Sequence, residues 1–174
     1  MILDLFAGPG GWDEGLRLLG VTDVLGIEID PAACMTATAA GHERMRKDVY
    51  GLSPERFEDV EGLIASPPCQ GFSAAGLRAG IGDMGIVNCL IEAMGEGRDE
   101  RVGAMFEVDD MKSLLVVEPM RFAYHLRPRW VALEQVPAVL PLWETTAKAL
   151  DMLGYSTWTG TVNSERFGVP QTRT

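Results

Sequence analysis

Met1-Ile-Leu-Asp-Leu-Phe6 followed by Ala7-Gly-Pro-Gly-Gly11 and then Trp12-Asp-Glu-Gly-Leu-Arg-Leu-Leu19 is the stretch that decides the fold. A short apolar run reads as a strand, the glycine cluster as a turn, and Trp12 to Leu19, with Leu16 and Leu19 in helical spacing, as a helix. The pattern then repeats. Val21 to Glu28 reads as a second strand, Asp30 caps a helix with Pro31 in its first turn, and Gly41 stops it. A third, short strand lies around Arg44 to Lys47, and a fourth at Gly62 to Ala65 is closed by Ser66-Pro-Pro-Cys69.

Farther along, Met111 to Leu126 is apolar at helical spacing and Trp130 to Leu133 is a buried strand ending at Glu134. Leu142 to Leu153 is a helix stopped by Gly154, and Tyr155 to Val162 alternates as a strand. Between Gly71 and Asp110 the periodicity weakens to a glycine-rich stretch, an apolar piece at Ile86–Met94 and a charged loop. The part from Asp83 to Asp110 is long for a strand-to-helix connection, and a lid over the site is the role expected of it. Strands alternating with helices predict an α/β, Rossmann-like fold: a mostly parallel sheet with helices on both faces and ligands beyond the carboxyl ends of the strands.

With 174 residues, 47% hydrophobic and 23% charged, the expectation is one globular domain over 1–174. The first apolar run lacks a preceding basic region and is interrupted by Asp4, so neither a signal peptide nor a membrane span is expected, and a cytoplasmic protein is. Three cysteines, Cys34, Cys69 and Cys89, without a C-x-x-C pair, argue against a disulfide framework and a thiolate zinc site. His42 and His125 are too few for a metal centre, and no metal is expected.

Residues with chemical potential fall at the carboxyl ends of successive predicted strands: Asp4 to Gly11, Glu28, Asp48, Cys69 and Glu134. That placement sets them on one rim. Gly8, Gly10 and Gly11 permit a tight turn and close ligand approach, and Glu28, 20 residues after Gly8, is placed to accept from a ribose diol. A nucleoside cofactor pocket is the reading. The dinucleotide fingerprint would need a third glycine at position 13, where Asp13 stands.

Asp4-Leu-Phe-Ala-Gly-Pro-Gly-Gly11 resembles the first motif of the DNA cytosine-5 methyltransferases, and further motifs agree in order. Gly26-Ile-Glu-Ile-Asp30 and Asp48 resemble the acids that bind the cofactor's ribose and adenine, and Pro67-Pro-Cys-Gln-Gly-Phe-Ser73 resembles the catalytic loop. Glu134-Gln-Val136 is similar to the family's Glu-Asn-Val element, with Gln135 departing from it, and Gly168-Val-Pro-Gln-Thr-Arg173 to its Gln-x-Arg-x-Arg element. The resemblance implies S-adenosylmethionine as cofactor, held by Asp4, Phe6, Ala7, Gly8, Gly10, Gly11, Glu28, Ile29, Asp48 and Pro68. It implies double-stranded DNA with a flipped cytosine as substrate, Cys69 as nucleophile, Glu134 facing ring nitrogen 3, and Arg173 at the base or a phosphate.

A thiol after the Pro-Pro pair suits this chemistry, because carbon 5 of cytosine becomes nucleophilic only after a thiolate adds to carbon 6. Methyltransferases of exocyclic amines carry an aromatic residue there instead. The resemblance also implies that the chain stops inside its last motif, before a target-recognition region. The net charge of −10 opposes DNA binding, since phosphate neutralisation needs Lys and Arg. Either positive charge is local, around Arg78, Arg98, Arg101, Arg166 and Arg173, or a separate C-terminal segment or subunit makes most DNA contacts, the reading we favour. Three alternatives stay open: a non-catalytic S-adenosylmethionine-binding remnant, a tRNA cytosine-5 methyltransferase, and a nicotinamide dehydrogenase.

Overall fold

A computed structural model of the chain describes residues 1–68 and 79–169, without the side chains of 79–81. The chain divides into two compact units, one of residues 1–68 with 114–134, the other of 69–113 with 135–174.

The first unit carries the sheet. Strands β1 (Ile2–Leu5), β2 (Val24–Glu28), β3 (Glu43–Arg46), β4 (Gly62–Ala65) and β5 (Trp130–Leu133) lie in the order β3-β2-β1-β4-β5, and every pairing is parallel. Helices α1 (Gly11–Leu18) and α2 (Pro31–Ala39) connect the β1-β2-β3 half, and α5 (Glu118–Leu126) leads from the β4 side into β5. Right-handed crossovers running in opposite directions from β1 put these two sets of helices on opposite faces. The direction in which strands are added therefore reverses between β1 and β4, and the crevice at their carboxyl ends is where such sheets bind ligands.

Burial on both faces explains why β1 is apolar apart from one residue: Ile2, Leu3, Asp4 and Leu5 are all buried. Ile2, Val24 and Ile64 form a cluster on one face, with Leu16 of α1 and Trp130 packed against it. Asp30 caps α2 as its sequence requires, its carboxylate accepting from the Ala32 and Ala33 amides at 2.6 and 3.2 Å.

The second unit holds α3 (Ala79–Gly95), α4 (Arg101–Ala104) and α6 (Leu140–Met152). Buried Val87, Leu90, Ile91 and Met94 make one stripe of α3, and Leu142, Thr145, Thr146, Ala149 and Leu150 make the facing stripe of α6. The weak periodicity at 83–95 is thus helical rather than loop-like. Asp83 accepts from the amides of Asp109 and Asp110 at 2.8 and 3.0 Å and from the Ser113 hydroxyl at 2.7 Å, tying the far end of the insertion to α3.

The expected strand at Tyr155–Val162 does not form among the described residues. Residues 155–160 keep the alternation of half-buried and exposed positions, but period 2 alone does not make a strand without a neighbour to complete its ladder.

Candidate active site

At the carboxyl end of β1 the chain leaves the sheet through a left-handed sequence of residues: Phe6 at φ 61°, Gly8 at 55° and Gly10 at 115°. Glycine makes this turn accessible at two of the three positions. The Ala7 amide still donates to the Ile27 carbonyl at 3.0 Å, so the loop starts anchored to β2. Gly11 begins α1, so the helix's N-terminal end starts directly at this loop.

Glu28, last in β2, organises that loop. Its Oε2 accepts from the Gly8 amide at 2.8 Å, and its Oε1 accepts from the Ile29 and Asp30 amides, both at 2.8 Å. A carboxylate has about four lone-pair sites, so one remains for a ligand hydroxyl. Ile29 beside it is 60% exposed, an apolar surface at the mouth of the site.

Asp4 is the site's anomaly. It is fully buried, yet among the described residues neither carboxylate oxygen has a hydrogen-bond partner. Burial, then the nearby Asp13 carboxylate, push its pKa up to about 8 against the opposing pull of Arg44, with Glu28 adding to the rise. Two orphaned acceptors at the end of the central strand fit a cationic ligand, and with Glu28 they fit the ammonium and ribose of S-adenosylmethionine.

Asp48 lies two residues past β3, exposed, its Oδ1 accepting from the Tyr50 amide at 3.0 Å. The loop after it is held by Arg121 of α5, which donates to the carbonyls of Val49 and Leu52 at 3.0 and 2.9 Å while paired with buried Glu118. On the other side of β1, Trp12 Nε1 donates to Ser66 Oγ at 3.0 Å, linking the glycine loop to the segment that carries Pro67 and Pro68. Glu134 follows β5 directly; its amide donates to the Ala65 carbonyl at 3.1 Å and its side chain is exposed. Asp4 lies in β1 and Phe6, Ala7, Gly8, Gly10 and Gly11 follow it, Glu28 ends β2 with Ile29 next, and Pro68 and Glu134 follow β4 and β5. Cys69 and Arg173 lie outside the described residues.

Sequence reading missed Asp13, His42 and Arg44. Arg44 is buried and bidentate to Asp13, at 3.0 and 2.7 Å, and its Nε donates to the Gly8 carbonyl at 3.3 Å. His42 Nε2 lies 2.9 Å from Glu14 Oε1. The available signal was Asp13 itself, an acid where a fingerprint glycine would stand, with His42 and Arg44 two apart on one side of β3.

Two arginines considered for local DNA contact are engaged with acids. Arg98 pairs with Glu96 at 2.8 Å and with Glu100, and Arg101 pairs with Asp99 at 2.7 Å. Among the described residues, no group of three or more His, Cys, Asp or Glu is placed to hold a metal, and no helix is long and apolar enough to cross a membrane.

Known proteins resemble the chain over nearly its whole length. The chain is 27% identical over 186 residues to type II methyltransferase M.DdeI of Desulfomicrobium norvegicum, covering 99% of this chain and 38% of that protein. It is 28% identical over 184 residues to type II methyltransferase M1.HphI of Haemophilus parahaemolyticus, covering 98% and 43%. The chain thus spans about two fifths of the length of these curated relatives. The methyltransferase EhMeth of Entamoeba histolytica superposes with a TM-score of 0.68 at 15% identity, covering 99% of this chain and 49% of that one. This likeness shows that the two chains share the Rossmann-like α/β fold. The C-5 cytosine-specific DNA methylase family matches residues 1–85 and 101–174, and the chain belongs to it.

Proposed function

We propose that this chain is the catalytic part of an enzyme that transfers a methyl group from S-adenosylmethionine to carbon 5 of cytosine in DNA. The observation that carries the reading is the pairing of an orphaned buried acid, Asp4, with Glu28 at the ends of adjacent central strands. Asp4 would meet the ammonium and Glu28 the ribose, while Phe6, Ala7, Gly8, Gly10 and Gly11 would hold the methionine part, Ile29 and Asp48 the adenine, and Pro68 would complete the cofactor site. When bound, this cofactor supplies an electrophilic methyl group.

Chemistry at the base falls to Cys69, Glu134 and Arg173. The Cys69 thiolate adds to carbon 6 of the flipped cytosine, forming the S–C bond and leaving carbon 5 electron-rich enough to take the methyl group. Glu134 holds a proton at ring nitrogen 3, which draws electron density from the ring as sulfur adds. Water acting as base then takes the carbon 5 proton, the freed electron pair re-forms the double bond between carbons 5 and 6, and sulfur leaves carbon 6 as the thiolate. Arg173 contacts the base or a neighbouring phosphate.

The net charge of −10, and the engagement of Arg98 and Arg101 by acids, support a further segment or subunit as the source of most phosphate contacts. With the chromosomal DNA of a prokaryotic-type cell as substrate, the protein would work in the cytoplasm. The test is trapping on duplex DNA containing 5-fluorocytosine, where fluorine blocks the final elimination. A denaturation-resistant adduct with the parent and none with Cys69→Ala is the expected result. An adduct on the equivalent RNA alone would turn the reading toward a tRNA methyltransferase, and cofactor binding without any adduct toward a remnant.

A further inference from the structure

The register places Asp4, Gly26 and Arg44 directly opposite one another on β1, β2 and β3. Gly26 is the gap that lets Arg44 use this row. A Cβ at position 26 would lie 2.4 Å from Arg44 Nη1 and 2.7 Å from Ala7 Cβ, so only glycine lets the guanidinium lie across the middle strand. From there Arg44 reaches the Gly8 carbonyl, the Glu43 carbonyl at 2.8 Å and both oxygens of Asp13. Gly8 is therefore held from both sides, its amide by Glu28 and its carbonyl by Arg44. His42, on the same side of β3, fills the space beneath Gly10, where a Cβ would meet its ring at 2.7 Å. Arg44 of β3, its partner Asp13 of α1, and His42 just before β3 thus support the glycine loop at Gly8 and Gly10.

We infer that Arg44, oriented by Asp13, is a positioning residue for the cofactor site: it fixes the glycine loop at Gly8 and supplies the positive charge that faces Asp4 across the Gly26 gap. The inference rests on the cofactor reading given above. Charged groups acting on Asp4 come from three elements, Asp13 of α1 and Glu28 of β2 opposing its ionisation and Arg44 of β3 favouring it, while β4 places apolar Ile64 opposite Asp4. A cationic cofactor group needs Asp4 ionised, so Arg44 acts on affinity twice, through the loop and through this charge. A residue that merely filled space would do neither.

The opposite signs of Asp13 and Arg44 make the test decisive. Affinity for S-adenosylmethionine is measured by calorimetry across pH for the 174-residue chain, Arg44→Gln, Arg44→Lys and Asp13→Asn, each checked for folding by circular dichroism. Arg44→Gln should bind about tenfold more weakly, as expected when one charge-assisted contact is lost, with the pH midpoint for binding shifted alkaline. Asp13→Asn should shift that midpoint toward acid, and Arg44→Lys, which keeps the charge but loses the planar fork, should weaken binding with little shift. Where Arg44→Gln fails to fold, the Asp13→Asn and Arg44→Lys profiles decide. Unchanged affinity and midpoint in the folded variants, with the parent binding normally, would overturn the inference and leave the cofactor reading intact. A parent chain that does not bind the cofactor at all would overturn both.

Discussion

Glu28 and Gly8, 20 residues apart, are joined at 2.8 Å by a hydrogen bond from the Gly8 amide to the Glu28 carboxylate, so the acid expected to bind the ribose also shapes the loop expected to bind the methionine part. Glu28→Ala therefore removes a ligand contact and frees three backbone amides at once. The expected outcome is at least about a tenfold loss of S-adenosylmethionine affinity, measured calorimetrically. Glu28→Gln should recover part of it, because the amide oxygen can still accept from Gly8. Equal affinity in all three proteins would remove Glu28 from the site.

Asp4 gives a pH prediction whose sign follows from its raised pKa. Without ligand the folded chain keeps Asp4 protonated up to about 8, whereas the unfolded chain releases that proton near 3.8. Between those values the unfolded state binds fewer protons, so this group's contribution to stability falls as pH rises and levels off above the folded pKa. Asp4→Asn should flatten that decline by on the order of a few kcal/mol, read from urea unfolding at pH 5 and pH 8. Cofactor affinity should move oppositely, rising with pH as Asp4 ionises, and proton release on binding should appear as a buffer-dependent enthalpy. A binding enthalpy independent of buffer would mean that Asp4 does not change its protonation state.

The β1-to-β4 half of the fold was legible because its punctuation is local: glycine at 8, 10 and 11, an Asp30–Pro31 helix start, and apolar runs too short to be helices. The positions of the candidate residues at those strand ends were legible for the same reason, since a strand's last residue is fixed once the strand is. What escaped was set by tertiary pairing. Gly80, Gly82 and Gly85 weaken the helical signal of α3, which packing against α6 supplies instead, and Tyr155–Val162 alternates like a strand without acquiring a neighbour. Asp13 registered only as a missing glycine, because nothing local shows that Arg44, 31 residues on, will need a buried partner.

Gly26→Ala tests the gap that Arg44 occupies. The new Cβ would overlap both the guanidinium and Ala7, and neither group has room to move away from a buried strand. A cost of about 1–3 kcal/mol is expected from overpacking, measured by urea denaturation, together with weaker cofactor binding. Gly11→Ala, where a Cβ meets nothing within 4 Å, is the control for stability.

Arg121 tests the far wall. Arg121→Met takes the guanidinium from buried Glu118 and releases the Val49 and Leu52 carbonyls, at an expected cost of about 3–5 kcal/mol. The loop after Asp48 loses its anchor in the same step, so affinity for an adenine-containing ligand should fall. Adding Glu118→Gln removes the buried charge and should restore part of the stability. It should not restore affinity, because the carbonyls of 49 and 52 still lack the guanidinium. Joint recovery of stability and affinity would show that Arg121 serves only to neutralise Glu118.

Glu134 separates chemistry from binding. It follows β5 on an exposed rim, tied to the sheet through its amide rather than its side chain, so Glu134→Gln should leave folding and S-adenosylmethionine affinity unchanged. A glutamine amide cannot hold a proton at ring nitrogen 3 as a carboxyl group does, and addition of Cys69 to carbon 6 should slow by about 100-fold or more, a usual span for a lost general acid. The reading is the rate at which the 5-fluorocytosine adduct accumulates in a single turnover. Cys69→Ala, by contrast, should abolish the adduct at any time, and Cys89→Ala, an exposed thiol on α3, should leave the rate unaltered. Slowed trapping with unchanged cofactor affinity in Glu134→Gln would assign this acid to the base rather than to the cofactor. Trapping at the parent rate would place it among the surface acids that end a strand.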